Sequence, residues 1–332
     1  MSVARLLISC LVLTASLAAV RPSAAQSLDP AVKAASELPR LHSLIVRHRG
    51  QVVLERYFNG RKATSLANVK SVSKSIIAAL VGIAVDRKIV RLDDPVAKYL
   101  GEAMPASDPA KRAITLEDLL TMRSGLESTS SRNYGAWVQS SNWVRHALAR
   151  PLVTKPGTDM IYSTGNSHLL SAVLAKATGT STWQFAQEAL AKPLGFSLAQ
   201  WPRDPQGVYF GGNDMLLTPR QMLSIGELYL NHGKVDSRQV LSEGYVKETF
   251  VPRGRSRISG REYGYGWWIR EMAGHQAFYA WGFGGQYIVL VPGADLIVIS
   301  TSASTVAEER RSHRRSVEDI IEYLIVAPLA DR

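Results

Sequence analysis

Ser71 and Lys74 are the residues of this chain best placed, by type and spacing, to do covalent chemistry. On a helix, three positions amount to about one turn and about 4.5 Å of rise, so Lys74 sits above Ser71 on one face. A serine hydroxyl is a poor nucleophile until a base takes its proton, and an amine one turn away can belong to that base system. The N-terminal end of a helix, where Ser71 would lie, also favours negative charge. Tyr162 is the next candidate. A phenol with pKa of about 10 is a poor base near neutrality, but a close ammonium lowers that pKa, so Lys74 would make Tyr162 a base or proton shuttle. Farther along, Gly282-Phe283-Gly284-Gly285 leads into a β-rich run, and glycines entering a strand let a substrate backbone or acyl group approach closely.

The elements that must carry these residues are legible in the apolar pattern. Ser71 opens a run through Val85 that is apolar enough for a buried helix. Leu41 to Phe58 reads as a β-hairpin turning at Arg49-Gly50. Thr115-Leu116-Glu117-Asp118 is a capping box ahead of a helical segment, and Thr218-Pro219 starts a helix that should stop at Asn231-His232-Gly233. Between about Pro95 and Gln200 the pattern is mainly helical, with Asn142 to Arg150, His168 to Ala175 and Thr182 to Leu194 at helical spacing. Strands are expected at Tyr263 to Arg270, Gln276 to Ala280, Gln286 to Pro292 and Leu296 to Ser300. A final helix is expected from Ser316 to Ile325. Strands and a helix at both chain ends around a helical middle imply one α/β (α+β) unit, a sheet domain with an all-α insertion. The sheet lobe would comprise about 26–94 and 206–332, and the helical lobe about 95–205.

The first 25 residues read as an export signal: Arg5, a mostly apolar stretch from Leu6 to Val20, and Ser23-Ala24-Ala25 before Gln26. The apolar stretch is shorter than the roughly 20 residues of a spanning helix, and a retained anchor is the alternative. The expectation is a cleaved leader, a periplasmic or secreted protein and no stable membrane insertion after cleavage. Cys10 is the only cysteine, so the remainder must gain its stability from its core without disulfides. Removing Arg5 and Arg21 leaves a net charge of +9 from the +11 of the full chain. Those charges are scattered, and no nucleic-acid module accompanies them. The one local cluster, Arg310 to Arg315, is expected in a solvated loop. No Gly-x-Ser-x-Gly elbow, His-Glu-x-x-His helix or Walker loop is present, so neither metal nor cofactor is expected. His168 and His275 are expected to be structural. Tyr134, Trp137 and Trp143 could line an acyl pocket or pack in the core.

Taken together, Ser71-Val72-Ser73-Lys74, Leu92 to Val96, Leu119 to Met122 with Ser124-Gly125-Leu126, Tyr162-Ser163, Gly211-Gly212, Thr218-Pro219-Arg220 and Gly282 to Gln286 fall in an order that resembles the serine β-lactamase and penicillin-binding-protein superfamily. The likeness is greatest to class C-like hydrolases that include esterases and aminohexanoate-oligomer hydrolases, and it covers almost all of the chain after the leader. The resemblance implies a β-lactamase/transpeptidase-like fold, an antiparallel sheet flanked by helices, with Ser71 as acylating nucleophile, Lys74 as its partner and Tyr162 as general base. It implies an oxyanion hole from the N–H groups of Ser71 and Phe283, with Gly282, Trp281 and Thr164 among the substrate-binding positions. Two departures matter. Thr164 stands where β-lactam-active relatives have asparagine, although Asn166 lies nearby. Ala280-Trp281-Gly282 replaces Lys-Thr-Gly, removing a cation for an acidic substrate. A small ester or amide is therefore the expected substrate, ahead of a β-lactam or a D-Ala-D-Ala peptide. A non-catalytic scaffold of the same fold is the further alternative, and the oligomeric state is not specified.

Overall fold

The computed structural model describes residues 27–104 and 108–330, so the expected leader lies outside the described residues. A short helix, α1 (Asp29–Ser36), precedes the hairpin of β1 (Leu41–His48) and β2 (Gln51–Tyr57). The hairpin turns at Arg49 and Gly50, with φ of 50° and 77°, the left-handed pair that suits a two-residue loop between twisted strands. The other strands of the main sheet come late in the chain: β3 (Gly254–Arg255), β4 (Glu262–Tyr263), β5 (Trp268–Met272), β6 (His275–Gly282), β7 (Gln286–Val291) and β8 (Leu296–Ser302). They form one eight-stranded sheet in the order β2-β1-β8-β7-β6-β5-β4-β3, antiparallel throughout.

Both faces of the central strands are covered. Ile45, Ile288, Leu290, Ile297 and Ile299 face a core shared with α2 (Ser73–Asp86) and α4 (Pro219–Leu230), while α3 (Thr164–Thr178) belongs to the same core. Their neighbours Leu44, Val46, Val289, Val291 and Val298 face a second core with α1 and with α5 (Arg310–Asp319) and its continuation. Double coverage explains why Tyr287 to Val291 in β7 and Leu296 to Ile299 in β8 read as unbroken apolar runs instead of alternating. Every residue of α2 from Ser73 to Ala84 is buried, which is why that segment is apolar all round. No helix of the described residues is long and apolar enough to cross a membrane.

Two expectations about elements need correction. The strand drawn through Tyr263 to Arg270 is interrupted at Gly264–Trp267, where Gly266, at φ 75°, lets the chain pass against α2 and accept a hydrogen bond from Ser75 Oγ (2.6 Å). The arginine cluster Arg310 to Arg315 is helical. His313, Val317, Ile320 and Ile321 are buried at helical spacing, so the helix starts two turns earlier than the cap at Ser316 suggested.

Candidate active site

Ser71 lies in a 3₁₀ turn, Lys70–Val72, immediately ahead of α2. The turn is clamped from several directions. Lys70, at φ 50°, donates from its backbone N–H to Asn68 Oδ1 (3.0 Å), and Lys70 Nζ donates to Asp214 Oδ1 (2.7 Å). A two-residue ladder of Ala67–Asn68 with Leu216–Leu217 brings the Asp214 segment alongside. Ser73 Oγ donates to the Lys70 carbonyl (2.6 Å) and accepts from the Met215 N–H (3.1 Å). Ser73 is fully buried, so of the two serines only Ser71 keeps partial exposure.

Lys74 Nζ is 3.0 Å from Ser71 Oγ and donates to the Gly212 carbonyl at 2.5 Å. It is 2% exposed. Burial pushes its amine down to about 7, with Asp214 pulling weakly the other way. The Gly212 carbonyl can reach Lys74 because Gly212 packs directly on α3: a Cβ there would stand 2.5 Å from the Thr164 carbonyl oxygen. Thr164 is thus a support for Gly212, and its Oγ1 bonds Ser130 Oγ (2.8 Å).

Tyr162 completes the cluster from the segment just before α3. Its hydroxyl lies near enough to Ser71 for that side chain to favour the phenolate, and Lys74 Nζ lies 5.1 Å from its ring centroid. Its ring stacks on Trp268 at 5.4 Å, and its carbonyl accepts from Ser128 Oγ (2.7 Å). The phenol was expected to be lowered by a neighbouring ammonium. The geometry does the opposite: burial raises it, outweighing the lowering influence of the nearby Ser71 hydroxyl, while the same burial drives Lys74 toward its neutral form. The amine is therefore the better proton acceptor near neutrality, and the phenol holds its proton.

Gly282 and Phe283 stand where β6 ends against the Ser71 turn. A Cβ on Gly282 would lie 2.2 Å from the Val69 carbonyl oxygen, so only glycine permits this approach. Phe283 begins the turn to β7, closed by a hydrogen bond from the Gly285 N–H to the Gly282 carbonyl (3.3 Å). Trp281 is not brought into the cluster. Alternation along β6 sends its side chain to the face opposite Ala280, where the Arg314 guanidinium lies 5.6 Å from its ring.

Trp137, Trp143 and His168 are core residues. Trp137 and Trp143 pack with Phe210 and His168 in the core, and Tyr134 Oη accepts from Asn213 Nδ2 (3.0 Å). His168 is fully buried. Its Nε2 is 3.0 Å from Asp204 Oδ2, and its Nδ1 accepts from the Gly211 N–H (3.4 Å). Asn166 is turned to Ser124 Oγ (3.1 Å) inside the helical core. Gly212, Asp214 and Ser130 were not singled out as site residues from the sequence. Gly212 carried a signal in the Gly211-Gly212 pair; the other two are joined to the site only by the fold.

A cavity of about 600 Å³ adjoins the cluster through Tyr162, with Ser128 and Ser130 in its lining. A second, of about 640 Å³ beside Arg87, Trp183 and Phe185, carries none of the cluster residues. Among the described residues no group of histidine, cysteine or carboxylate side chains is arranged to hold a metal ion.

A family model described as Beta-lactamase matches residues 40–321. Over 207 residues the chain is 23% identical to the D-alanyl-D-alanine-carboxypeptidase/endopeptidase AmpH of Escherichia coli K12, a match spanning 53% of this chain and 54% of that protein. EstCE1, described as a hydrolase with promiscuous acyltransferase activity, superposes with a TM-score of 0.70 at 20% identity, covering 89% of this chain and 98% of its own. A D-stereospecific amidohydrolase from Streptomyces sp. superposes with a TM-score of 0.69 at 17% identity, covering 89% and 97%. At such identities these structural likenesses are likenesses of fold.

Proposed function

The chain belongs to the Beta-lactamase family, and from that premise we propose that it is a serine hydrolase cleaving small esters or amides through an acyl-enzyme on Ser71. The observation that carries this reading is the buried Lys74 amine, 3.0 Å from a partly exposed Ser71 hydroxyl and lowered to about 7. Lys74 in its neutral form takes the Ser71 proton as Oγ attacks the substrate carbonyl, while Gly212 holds the amine in line. The N–H groups of Ser71 and Phe283 receive the developing oxyanion, and two such preorganised donors supply a few kcal/mol to the transition state. Tyr162, protonated and beside Ser71, gives its proton to the leaving atom and regains one from Lys74. Water then attacks the acyl-enzyme by the same groups in reverse.

Ala280 in place of a lysine on β6 favours neutral substrates over β-lactams and D-Ala-D-Ala peptides. A panel of short-chain p-nitrophenyl esters, linear amides and a chromogenic cephalosporin at matched concentration tests this. Ester or amide turnover should exceed that of the cephalosporin; a cephalosporin turned over well above the esters would reverse the order. The residues before Gln26 further support export, and N-terminal sequencing of protein from its host should find a chain starting near Gln26. Intact Met1 in a membrane fraction would contradict it.

A further inference from the structure

The cavity beside Tyr162 has aliphatic walls that the fold itself does not need to leave bare. Val153, Met160, Ile161, Tyr162 and Ile258 contribute to it from three separate stretches of chain. Ile258 is 99% exposed and Val153 is 53% exposed. A single exposed aliphatic side chain needs no explanation, but two lining one concave site next to a catalytic cluster do. The loop bearing Ile258 is not loose. Arg255 Nε donates to the Gly260 carbonyl (2.8 Å), the Ser256 N–H to the Arg261 carbonyl (2.9 Å), and Gly254 packs on Met160. Ile258 is thus held out in the open by its own loop.

The charges around the cavity are largely paired with one another at its solvent edge. Arg257 is paired with Asp159 (2.9 Å), and Arg132 lies 3.6 Å from Glu127, which also pairs with Arg150. Arg257 thus has a carboxylate of its own, while Arg132 shares Glu127 with Arg150 and extends into solvent, where an added ion pair would be screened and weak.

We propose that this cavity is the leaving-group subsite and that it takes a neutral, apolar alcohol or amine portion of the substrate, read by Ile258 and Val153. The proposal rests on the serine-hydrolase reading above. In acylation the Ser71 Oγ–acyl carbon bond forms, the bond from acyl carbon to leaving oxygen or nitrogen breaks, and the Ser71 proton passes to Lys74. The leaving atom takes the Tyr162 proton, which Lys74 replaces. The leaving atom must therefore lie within hydrogen-bond reach of the Tyr162 hydroxyl, and its substituent then has the cavity beside the Tyr162 ring as its open path.

The test compares phenyl acetate with 4-tert-butylphenyl acetate on the full chain. These share an acyl group and release phenols of nearly equal acidity, and kcat/KM reports steps only through acylation. At about 0.8 kcal/mol for each buried methylene-sized group, even partial burial of the tert-butyl group should favour the larger ester by about tenfold in the wild type. Ile258→Asp and Val153→Asp, both at exposed positions, should each bring that ratio close to one. A wild-type ratio near one, or an unchanged ratio in both variants, would overturn the proposal. So would a variant that instead loses preference among phenyl esters of lengthening acyl chain, since the cavity would then take the acyl side. Absence of any Ser71 acylation in the wild type would remove the hydrolase reading itself, and is seen separately by intact mass.

Discussion

Two regions meet at Tyr162 and are built in opposite ways. The Ser71 turn is locked: Lys70, Ser73 and Val69 are tied to Asp214, Met215 and β6, and glycines at 212 and 282 sit where a single methyl group would strike a carbonyl oxygen. The loop bearing Ile258 is tied mainly to itself and to Met160, and leaves its apolar residue in solvent. The first region fixes protonation states and distances, where small displacements alter the chemistry. The second can change its side chains with little effect on the fold, which is how substrate choice can vary on a constant reaction centre. Perturbing the two regions should therefore give different signatures: the locked side couples activity to stability, and the open side separates them.

The largest such effect is expected at Lys74. Lys74→Met should lower kcat/KM by about 10³-fold or more, the scale of a lost general base. In the wild type kcat/KM should rise with pH through about 7 as Lys74 loses its proton. Lys74→Met should act on stability in the opposite direction to its effect on activity, because the buried amine costs the fold what it gives the chemistry. The folded amine titrates near 7, below its ordinary 10.5, so below pH 7 the fold bears a buried charge. Between these values the unfolded chain binds the extra proton, and stability rises with pH. Lys74→Met should thus stabilise the protein by about 2 kcal/mol at pH 6 and by less at pH 9, measured by urea unfolding. A loss of stability at pH 6 would contradict the buried-amine account.

Gly212→Ala is the next largest. The added Cβ, 2.5 Å from the Thr164 carbonyl, must displace the Gly212 carbonyl that holds Lys74. About 10- to 100-fold should be lost from kcat/KM, as for misplacement of a catalytic group, with about 1–3 kcal/mol of stability. Steady-state kinetics and a denaturation curve on the same preparation check both. Thr164→Val should be the mildest. It removes the bond to Ser130 Oγ while keeping the packing on Gly212, costing about 1 kcal/mol of stability and less than about tenfold in kcat/KM.

The sequence was informative where spacing and chemistry coincide on one element. Ser71 and Lys74 share a helical turn, the capping box at Thr115 and Asp118 forms with both hydrogen bonds, and the β1–β2 hairpin turns at the Arg49-Gly50 signal. It was weaker where function depends on contacts between distant segments. Nothing local marks Asp214 as the partner of Lys70, or Ile258 as lining the same cavity as Tyr162. Trp281 looked like a site residue by position, but strand alternation turns it toward Arg314. The Tyr162 phenol was expected to fall because an ammonium was counted without the desolvation of that ammonium. Burial is a property of the packed core and reverses the sign. The Arg310 to Arg315 cluster read as a loop because its charge hid the helical spacing of His313 and Val317 beneath it.

The central claim is that Ser71, and not its buried neighbour Ser73, forms the acyl-enzyme. Intact-mass analysis of the full chain after exposure to a fluorophosphonate tests it most directly, with the modified peptide mapped by fragmentation. A single adduct on Ser71, abolished in Ser71→Ala, is the result the account predicts. An adduct that persists in Ser71→Ala, or that maps to Ser73, would contradict it.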